Sequence, residues 1–493
     1  MKYKPWNVIL FSIPLFIMYG WIITKEFFGN DINYLLLTIL ATLLTIIIVL
    51  VFCRVNNLVQ LAPLLMLFAV FILAYFLKFF IIVNLMINNE EEYIGYLVSP
   101  HIVEFLNKDN LLRSYKLTMY GYAAFCFSVI ITYFVIFKSG QYILKQNITS
   151  EFMNKKYIVI YFSVCFLLIV ISSLLSINYR VGIHGGEALE LPFKLNAIIH
   201  YFRLFSFYFI LLIVSWTDNK KHEILWITSV GMLAFYAISQ IIVEASRGAL
   251  MSSFAIPLGV IWFVSNKFSR KRWIFILSSI VLTMIFRPIF TAYRIIQNNF
   301  DLGIIANINE LYNYKYYLDI GSMAYQGIYY LFNELLFRII GIDSVLYFSN
   351  LTTVKIDIPW IVSVILGTEN FSGRFTQEIV GYGETITTHY AAPSLIGGLY
   401  WMGGFIGIVI GVMIITIITQ YLWRRVISSN WMTNRLILIM IVFMVLRIGI
   451  EGAFDGIIRE VFMSVVIAVF FEYICRSNNP FKIDVPARSH AVC

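Results

Sequence analysis

Long apolar blocks recur along this sequence, and their length constrains the fold more than any other feature. Many run for about 18 residues or more, the length at which a helix crosses a hydrocarbon core of about 30 Å. Of the 493 residues, 60% are hydrophobic and 13% are charged. A soluble domain carries about 25% charged residues, because its surface must be solvated by water. The sequence therefore predicts an all-α, polytopic integral membrane protein.

The apolar blocks predict about 12 transmembrane helices in a single transmembrane domain, residues 1–475. Connections are short except at about 87–116 and 291–390. The second of these, a predicted periplasmic loop before helix 10, has Tyr and Leu at helical spacing between about 309 and 342, so we expect short helices on the bilayer surface. A polar cytoplasmic tail, 476–493, follows. The predicted spans are about 6–24, 33–53, 58–86, 117–137, 157–177, 197–216, 224–243, 249–266, 273–290, 391–422, 436–454 and 457–475.

Positive charge is unevenly distributed, and this predicts the orientation of the chain. The net charge is +9. Lys and Arg concentrate in the connections on the side of the N-terminus, as at Lys267, Arg270 and Arg272, whereas the spans and the other connections together are net acidic. This is the positive-inside pattern, so both ends are expected in the cytoplasm. The basic charge then reflects topology and does not indicate nucleic-acid binding.

Arginines near the outer ends of the predicted spans are candidates for ligand binding. An Arg near the membrane core costs about 2.5–3.5 kcal/mol on insertion scales. Each one alone is more simply explained as a helix-end residue that extends to the interface or pairs with a carboxylate. Together they predict a phosphate or pyrophosphate site, because guanidinium binds two phosphate oxygens at once. They are Arg180, Arg203, Arg247, Arg287, Arg294, Arg338, Arg374, Arg447 and Arg459.

His389 is the leading candidate for a general base. It lies at the end of the long loop, just before the glycine-rich start of predicted helix 10. A neutral imidazole there could take a proton from a hydroxyl group, and an interfacial histidine with no special role is an equally good interpretation. Glu378 and Glu384 are nearby alternatives as base. The outer carboxylates form no convincing metal site, so we expect neither a metal nor a cofactor.

Two short stretches carry a resemblance to a known family. Residues 245–250 read Ala-Ser-Arg-Gly-Ala-Leu, and residues 389–398 read His-Tyr-Ala-Ala-Pro-Ser-Leu-Ile-Gly-Gly. Both resemble stretches of the bacterial O-antigen polymerase and O-antigen ligase superfamily, as do the number of spans and the large loop before helix 10. His389 and Gly397 fit a polymerase pattern of His, seven residues and Gly. A companion pattern of Arg, ten residues and Gly is missing.

The resemblance implies an enzyme of the bacterial inner membrane whose active face is periplasmic. It would polymerise undecaprenyl-pyrophosphate-linked oligosaccharide repeat units into O-antigen or a related surface polysaccharide, by glycosyl transfer without metal. A regulator of chain length is an expected partner. The catalytic candidates are His389, Arg247 and Glu378. The candidates for binding substrate or pyrophosphate are Arg180, Arg287, Arg294, Arg374, Arg447 and Arg459.

Two alternative functions stay open at this point. The first is an O-antigen ligase that transfers finished glycan to the lipid A core, which would share the same fold. The second is a transporter or flippase of lipid-linked oligosaccharide. A transporter would place charged residues deep in several spans, and Lys78 is the main residue of that kind in the sequence. The concentration of the other charges at one face favours an enzyme.

Overall fold

The computed structural model is helical, and within the residues that it describes there are no strands. Most of the long predicted loop and the C-terminal tail lie outside these residues. The described residues are 5–29, 31–55, 58–88, 90, 94, 103, 105–136, 155–179, 195–217, 223–244, 251–264, 270–285, 341–349, 358–366, 394–429, 434–452, 454, 465–470 and 473.

The α-helices are numbered here in chain order. They are α1 (Pro5–Phe28), α2 (Ile32–Arg54), α3 (Ala62–Val70), α4 (Lys78–Ile87), α5 (Lys108–Ile136), α6 (Lys155–Asn178), α7 (Leu195–Thr217), α8 (Glu223–Glu244), α9 (Ile256–Val264), α10 (Arg270–Ile285), α11 (Ile342–Ser349), α12 (Ile358–Leu366), α13 (Leu395–Ile427) and α14 (Asn434–Leu446). Three π-helical segments join this series: Phe71–Leu77 between α3 and α4, Met251–Ala255 before α9, and Arg447–Glu451 after α14.

Six of the described helical stretches are long and apolar enough to cross a membrane. The chain is therefore a multi-pass helical membrane protein, and the prediction of about 12 spans goes beyond these six. Shorter apolar helices lie at three more predicted spans: Phe162–Asn178, Tyr201–Ser215 and Ser252–Phe263. The six long stretches are Ile9–Phe28, Ile32–Arg54, Val59–Ile87, Lys108–Val135, Ile224–Val243 and Leu395–Ile427.

Two clusters of buried apolar side chains organise these helices. The first joins α1, α2, the continuous stretch from α3 to α4, α5, α11 and α13. The second joins α6, α7, α8, α9 and α10. Helix α14 contributes to both, since Leu438 and Val442 lie in the first cluster and Leu436 and Ile439 in the second. Its two faces therefore connect the two halves of the described helices.

Hydrogen bonds between helices provide partners for polar groups that cannot form hydrogen bonds with lipid. Two hydroxyl pairs link α2 to α5, Thr38 to Tyr115 at 3.2 Å and Thr45 to Tyr122 at 2.7 Å. The partners are seven residues apart on each helix, so they recur on the same face every two turns. At the other end of the bundle, the indole N–H of Trp423 donates to the carbonyl of Val59 at 2.7 Å.

Helix α13 is broken at two glycines and folds back on itself. Gly403 has φ −152° and ψ 17°, and Gly404 has φ 60° and ψ −148°. The side chain of Leu399 lies against Gly411, although 12 residues of straight helix would separate them by about 18 Å. The sequence predicts one span at about 391–422. Within this stretch, a short helix, 395–402, runs back along a long one, 405–427.

Helix α11 lies among the membrane helices, although the sequence analysis assigned its residues to the long outer loop. Except for Tyr347, residues 341–349 are buried, and α11 packs against α5 and α13. The apolar character of Ile342, Val345 and Leu346 explains this burial, because it matches the first buried cluster. The surface helices predicted between 309 and 342 lie almost entirely outside the described residues.

Candidate functional site

Four backbone segments meet around Ser394. They are the π-helical segments Phe71–Leu77 and Arg447–Glu451, the start of α11 and the start of α13. A π-helical turn inserts an extra residue into a helix, and such turns occur frequently at functional sites. Two of these turns beside two helix N-termini identify this region as the candidate functional site.

Ser394 has a backbone conformation that is unusual for a residue other than glycine. Its φ is 59°, in the left-handed region, and conformations of this kind cost on the order of 1–3 kcal/mol. Its hydroxyl accepts a hydrogen bond from the backbone N–H of Gly397 at 3.3 Å and another from the hydroxyl of Ser344. Gly452 packs so closely on the Ser394 carbonyl that an added Cβ would overlap it. The surrounding contacts therefore hold Ser394 in place.

Tyr75, in the first π-helical segment, binds the start of α13 directly. Its ring is fully buried. The backbone N–H of Ile396 donates to its hydroxyl at 3.0 Å, and the hydroxyl of Ser394 lies within hydrogen-bonding reach. The first N–H groups of a helix have no partner inside the helix. Tyr75 supplies one such partner in a part of the molecule with little access to water.

Lys78 and Asp343 form an ion pair inside the bundle. Lys78 Nζ lies 3.0 Å from Asp343 Oδ2, and the two side chains are 0% and 6% exposed. Asp343 Oδ1 also accepts the backbone N–H of Gly341 at 2.8 Å. Lys78 lies nine residues before the end of the stretch Val59–Ile87, about 14 Å along the helix. The pair thus lies well inside the apolar part of the protein.

Aromatic rings border the short helix 395–402 on one side. The rings of Phe348 and Trp401 have centroids 5.6 Å apart, and those of Trp360 and Trp401 are 5.2 Å apart. Gly397 lies against the Phe348 ring with no room for a Cβ. The short helix is therefore held by polar contacts at its start and by aromatic packing along its length.

Of the predicted catalytic and pyrophosphate-binding residues, Arg447 is the one that falls within the described residues. Its side chain is exposed. It begins the π-helical segment that leads to Gly452, five residues further along the chain. Gly449, between them, packs against Val70 and Leu67 of α3. Arg447 therefore lies on an element that contacts Ser394.

The other predicted site residues lie outside the described residues, so the structure neither brings them together nor separates them. Arg203, also counted among the arginines, is described and is 3% exposed. It donates to the hydroxyl of Ser176 at 3.4 Å, which links α7 to α6. The undescribed candidates are His389, Glu378, Glu384, Arg180, Arg247, Arg287, Arg294, Arg338, Arg374 and Arg459.

Sequence reasoning missed Asp343, Tyr75 and Ser394 as parts of one cluster. One signal could have found Asp343. A charged residue in an apolar span needs a partner. Lys78 therefore predicts a carboxylate in another largely apolar stretch, and 342–349 contains one, Asp343. Across the described part of the chain, no three His, Cys, Asp or Glu side chains come together in a group that could hold a metal ion.

The fold and this cluster define the class of the protein. It is a multi-pass helical membrane protein with a polar centre, formed by Tyr75, Lys78, Asp343, Ser344 and Ser394, between two short buried helices. Protein-family models, curated proteins and solved structures were compared with the chain, and none of them matches it.

Proposed function

We propose that this protein is a glycosyltransferase that polymerises undecaprenyl-pyrophosphate-linked oligosaccharide repeat units at the periplasmic face of the bacterial inner membrane. The product is O-antigen or a related surface polysaccharide. The observation that carries the proposal concerns residues 394–398, the second half of the stretch that resembles the polymerases. These residues begin a short buried helix at the polar centre.

The reaction requires two functions of the protein. A hydroxyl group of one lipid-linked repeat attacks the anomeric carbon of the growing chain, and a base takes the proton of that hydroxyl. The bond from the anomeric carbon to undecaprenyl pyrophosphate breaks, and the pyrophosphate leaves with the electron pair. His389, or Glu378 or Glu384, is the proposed base. Arginines stabilise the charge that develops on the leaving group, an effect that is larger in a partly dry site.

Chain connectivity supports a single reaction site near the polar centre. His389 precedes Ser394 by five residues, so its Cα lies within about 18 Å of the Ser394 Cα even in a fully extended chain. Arg447, a proposed pyrophosphate ligand, precedes Gly452 by five residues on one π-helical segment, and Gly452 touches Ser394. The proposed base and one proposed arginine are thereby both tethered to the same short helix.

A transporter or flippase of lipid-linked oligosaccharide is the second candidate, and buried charges favour it. Lys78, Asp343 and Arg203 are all nearly inaccessible to solvent. Membrane transporters place ionisable residues in this way along substrate or proton pathways. Against it, Lys78 and Asp343 neutralise each other and join two helices. An O-antigen ligase is the third candidate, which differs from the polymerase only in its acceptor.

Purified protein in proteoliposomes distinguishes the three functions. With a synthetic undecaprenyl-pyrophosphate-linked repeat alone, a polymerase gives products in integral multiples of the repeat mass, in EDTA as well as in Mg²⁺. A ligase gives a new product only after lipid A core is added. A transporter leaves the repeat chemically unchanged and moves it between the leaflets. A glycan-cleaving enzyme added outside the vesicles detects this movement, because it cleaves only the repeats in the outer leaflet. Activity that depends on Mg²⁺ or Mn²⁺ would contradict the metal-free mechanism.

A further inference from the structure

The Lys78–Asp343 pair is not accounted for by the reaction proposed above. Neither residue is accessible to a substrate, since their side chains are 0% and 6% exposed. Burying two charges is costly, and a well-packed apolar pair of similar volume often stabilises a protein as much or more. Stability alone is therefore a poor explanation for the pair. Its geometry, in contrast, fixes the relative position of two backbone segments.

The first segment held by the pair is the start of α11. One carboxylate oxygen of Asp343 binds Lys78 at 3.0 Å and the other accepts the Gly341 N–H at 2.8 Å. Gly341 itself lies on the carbonyl of Ala74, where an added Cβ would overlap that oxygen. The carboxylate thus fastens the first turn of α11 to the start of α4.

The second segment is the short helix 395–402, which α11 touches at two points. The hydroxyl of Ser344 donates to that of Ser394, and the ring of Phe348 lies against Gly397. A continuous series of contacts therefore runs from Lys78 through Asp343 and α11 to Ser394. Tyr75, one turn before Lys78, closes this series by its hydrogen bond to the Ile396 N–H.

We propose that Lys78 and Asp343 are a positioning pair that sets the location of Ser394 and of the short helix 395–402. The pair acts through α11 and does not touch the substrate. For catalysis this rests on the proposed function: His389 precedes Ser394 by only five residues in the sequence, so we expect a shift of the short helix to displace the proposed base. A displacement of about 1 Å can lower a rate by about 10²-fold.

Four variants test the proposal without confusing it with loss of folding. Lys78→Met and Asp343→Leu each remove one member of this buried ion pair, and we expect both to express poorly. The double variant, K78M with D343L, removes both charges and is expected to fold with near wild-type thermal stability. The double variant K78M with D343N also removes both charges but keeps a side-chain oxygen that can accept the Gly341 N–H. Lys116→Met, at an exposed lysine of α5, is the matched control.

The first readout is hydrogen exchange, which does not depend on any enzyme activity. In the K78M/D343L double variant we expect the amides of residues 396–399 to exchange at least about tenfold faster than in the wild type. The amides of residues 416–420, on the long part of α13, should be unchanged. Lys116→Met should alter neither. Equal protection of residues 396–399 in the double variant and the wild type overturns the positioning role.

The second readout is steady-state kinetics on the lipid-linked repeat. The double variant should lose about 10- to 100-fold in kcat, with KM within about twofold, because the substrate still binds but the base is misplaced. A folded double variant with wild-type kcat overturns the catalytic part of the proposal. If it does not fold, K78M/D343N decides: exchange of residues 396–399 at least about tenfold faster than in the wild type supports the pair, and wild-type protection in the folded variant contradicts it. If wild-type protein shows no polymerase activity, only the proposed function fails, because the exchange result stands alone.

Discussion

The backbone N–H of Ile396 donates a hydrogen bond of 3.0 Å to the hydroxyl of Tyr75, which lies 321 residues earlier in the chain. The two residues belong to different membrane helices, and both are buried. One hydrogen bond thus joins the start of a short helix near the C-terminal end of the fold to a π-helical segment near its beginning. The same contact makes the polar centre accessible to a simple stability measurement.

Tyr75→Phe should lower the stability of the protein. The substitution keeps the ring but removes the acceptor, so the buried N–H of Ile396 loses its partner, which costs about 1–3 kcal/mol. Thermal unfolding in detergent measures the difference. Tyr19→Phe is the matched control, because Tyr19 is 61% exposed on α1. Equal unfolding temperatures for the two variants would show that the hydrogen bond contributes nothing.

Gly404→Ala should be destabilising although there is space for the new methyl group. At φ 60° and ψ −148°, the backbone of Gly404 lies in a region that is essentially restricted to glycine, and the strain is of order 1–3 kcal/mol. Gly231→Ala in α8 is the control, because neither glycine has a neighbouring atom within 4 Å of an added Cβ. In the helix interior, Gly231→Ala should stabilise by about 0.5–1 kcal/mol. Effects of the same sign at both sites contradict the fold-back of α13.

The membrane helices could be predicted from the sequence because hydropathy carries that information directly. Predicted spans 33–53 and 58–86 agree with Ile32–Arg54 and Val59–Ile87. The fold-back of Leu395–Ile427 could not be predicted in this way, since an apolar run has the same hydropathy whether it continues straight or reverses. Gly403 and Gly404 were visible as part of a glycine-rich pattern, but the pattern does not specify their dihedral angles.

The polar centre was harder to predict because its members are far apart in sequence. Hydropathy identifies Lys78 as a charge deep within a predicted span, but its partner, Asp343, lies in a stretch that the sequence predicts to be an external loop. Asp343 is one carboxylate among many in the sequence, and only the packing of α11 brings it within 3.0 Å of Lys78. Tyr75 and Ser394 carry no charge, so neither hydropathy nor charge distinguishes them from other Tyr and Ser residues.

The orientation of the chain can be tested by cysteine labelling in a background without the native cysteines. A cysteine in the segment 267–272 should react with a membrane-impermeant reagent only after the cytoplasmic side is opened. A cysteine in place of Asn350 should react in intact spheroplasts. These outcomes follow from the positive-inside distribution of Lys and Arg. Reversed labelling of either position would show that the predicted topology is wrong.

Arg247→Lys should lose most activity although it keeps the positive charge. Lysine lacks the planar fork that binds two phosphate oxygens at once. Removing one such stabilising donor costs about 10²- to 10³-fold in kcat. The measurement is turnover of the lipid-linked repeat by protein whose expression and thermal stability match the wild type. Normal turnover would identify Arg247 as an interfacial anchor or as a partner of the nearby Glu244.

His389→Ala should lower turnover by about 10²- to 10⁴-fold while binding of the lipid-linked substrate changes little. His389→Gln should be almost as slow, because an amide cannot accept the proton. Single-turnover kinetics and a separate binding measurement distinguish the two steps. If His389→Gln is active while Glu378→Gln or Glu384→Gln is inactive, the base is a carboxylate. Full activity of all three Gln variants would show that the hydroxyl needs no protein base.

The reversal at Gly403 and Gly404 has a consequence for biosynthesis. Residues 395–402 form a helix about 12 Å long, which cannot cross a hydrocarbon core of about 30 Å by itself. Its first N–H groups need Tyr75 and Ser394 as partners, so it can settle only against helices already in the membrane. Tyr75 and Ser344 are synthesised before it, whereas Gly452, which completes the packing on Ser394, emerges later. The packing around Ser394 therefore cannot be complete until residue 452 has been synthesised.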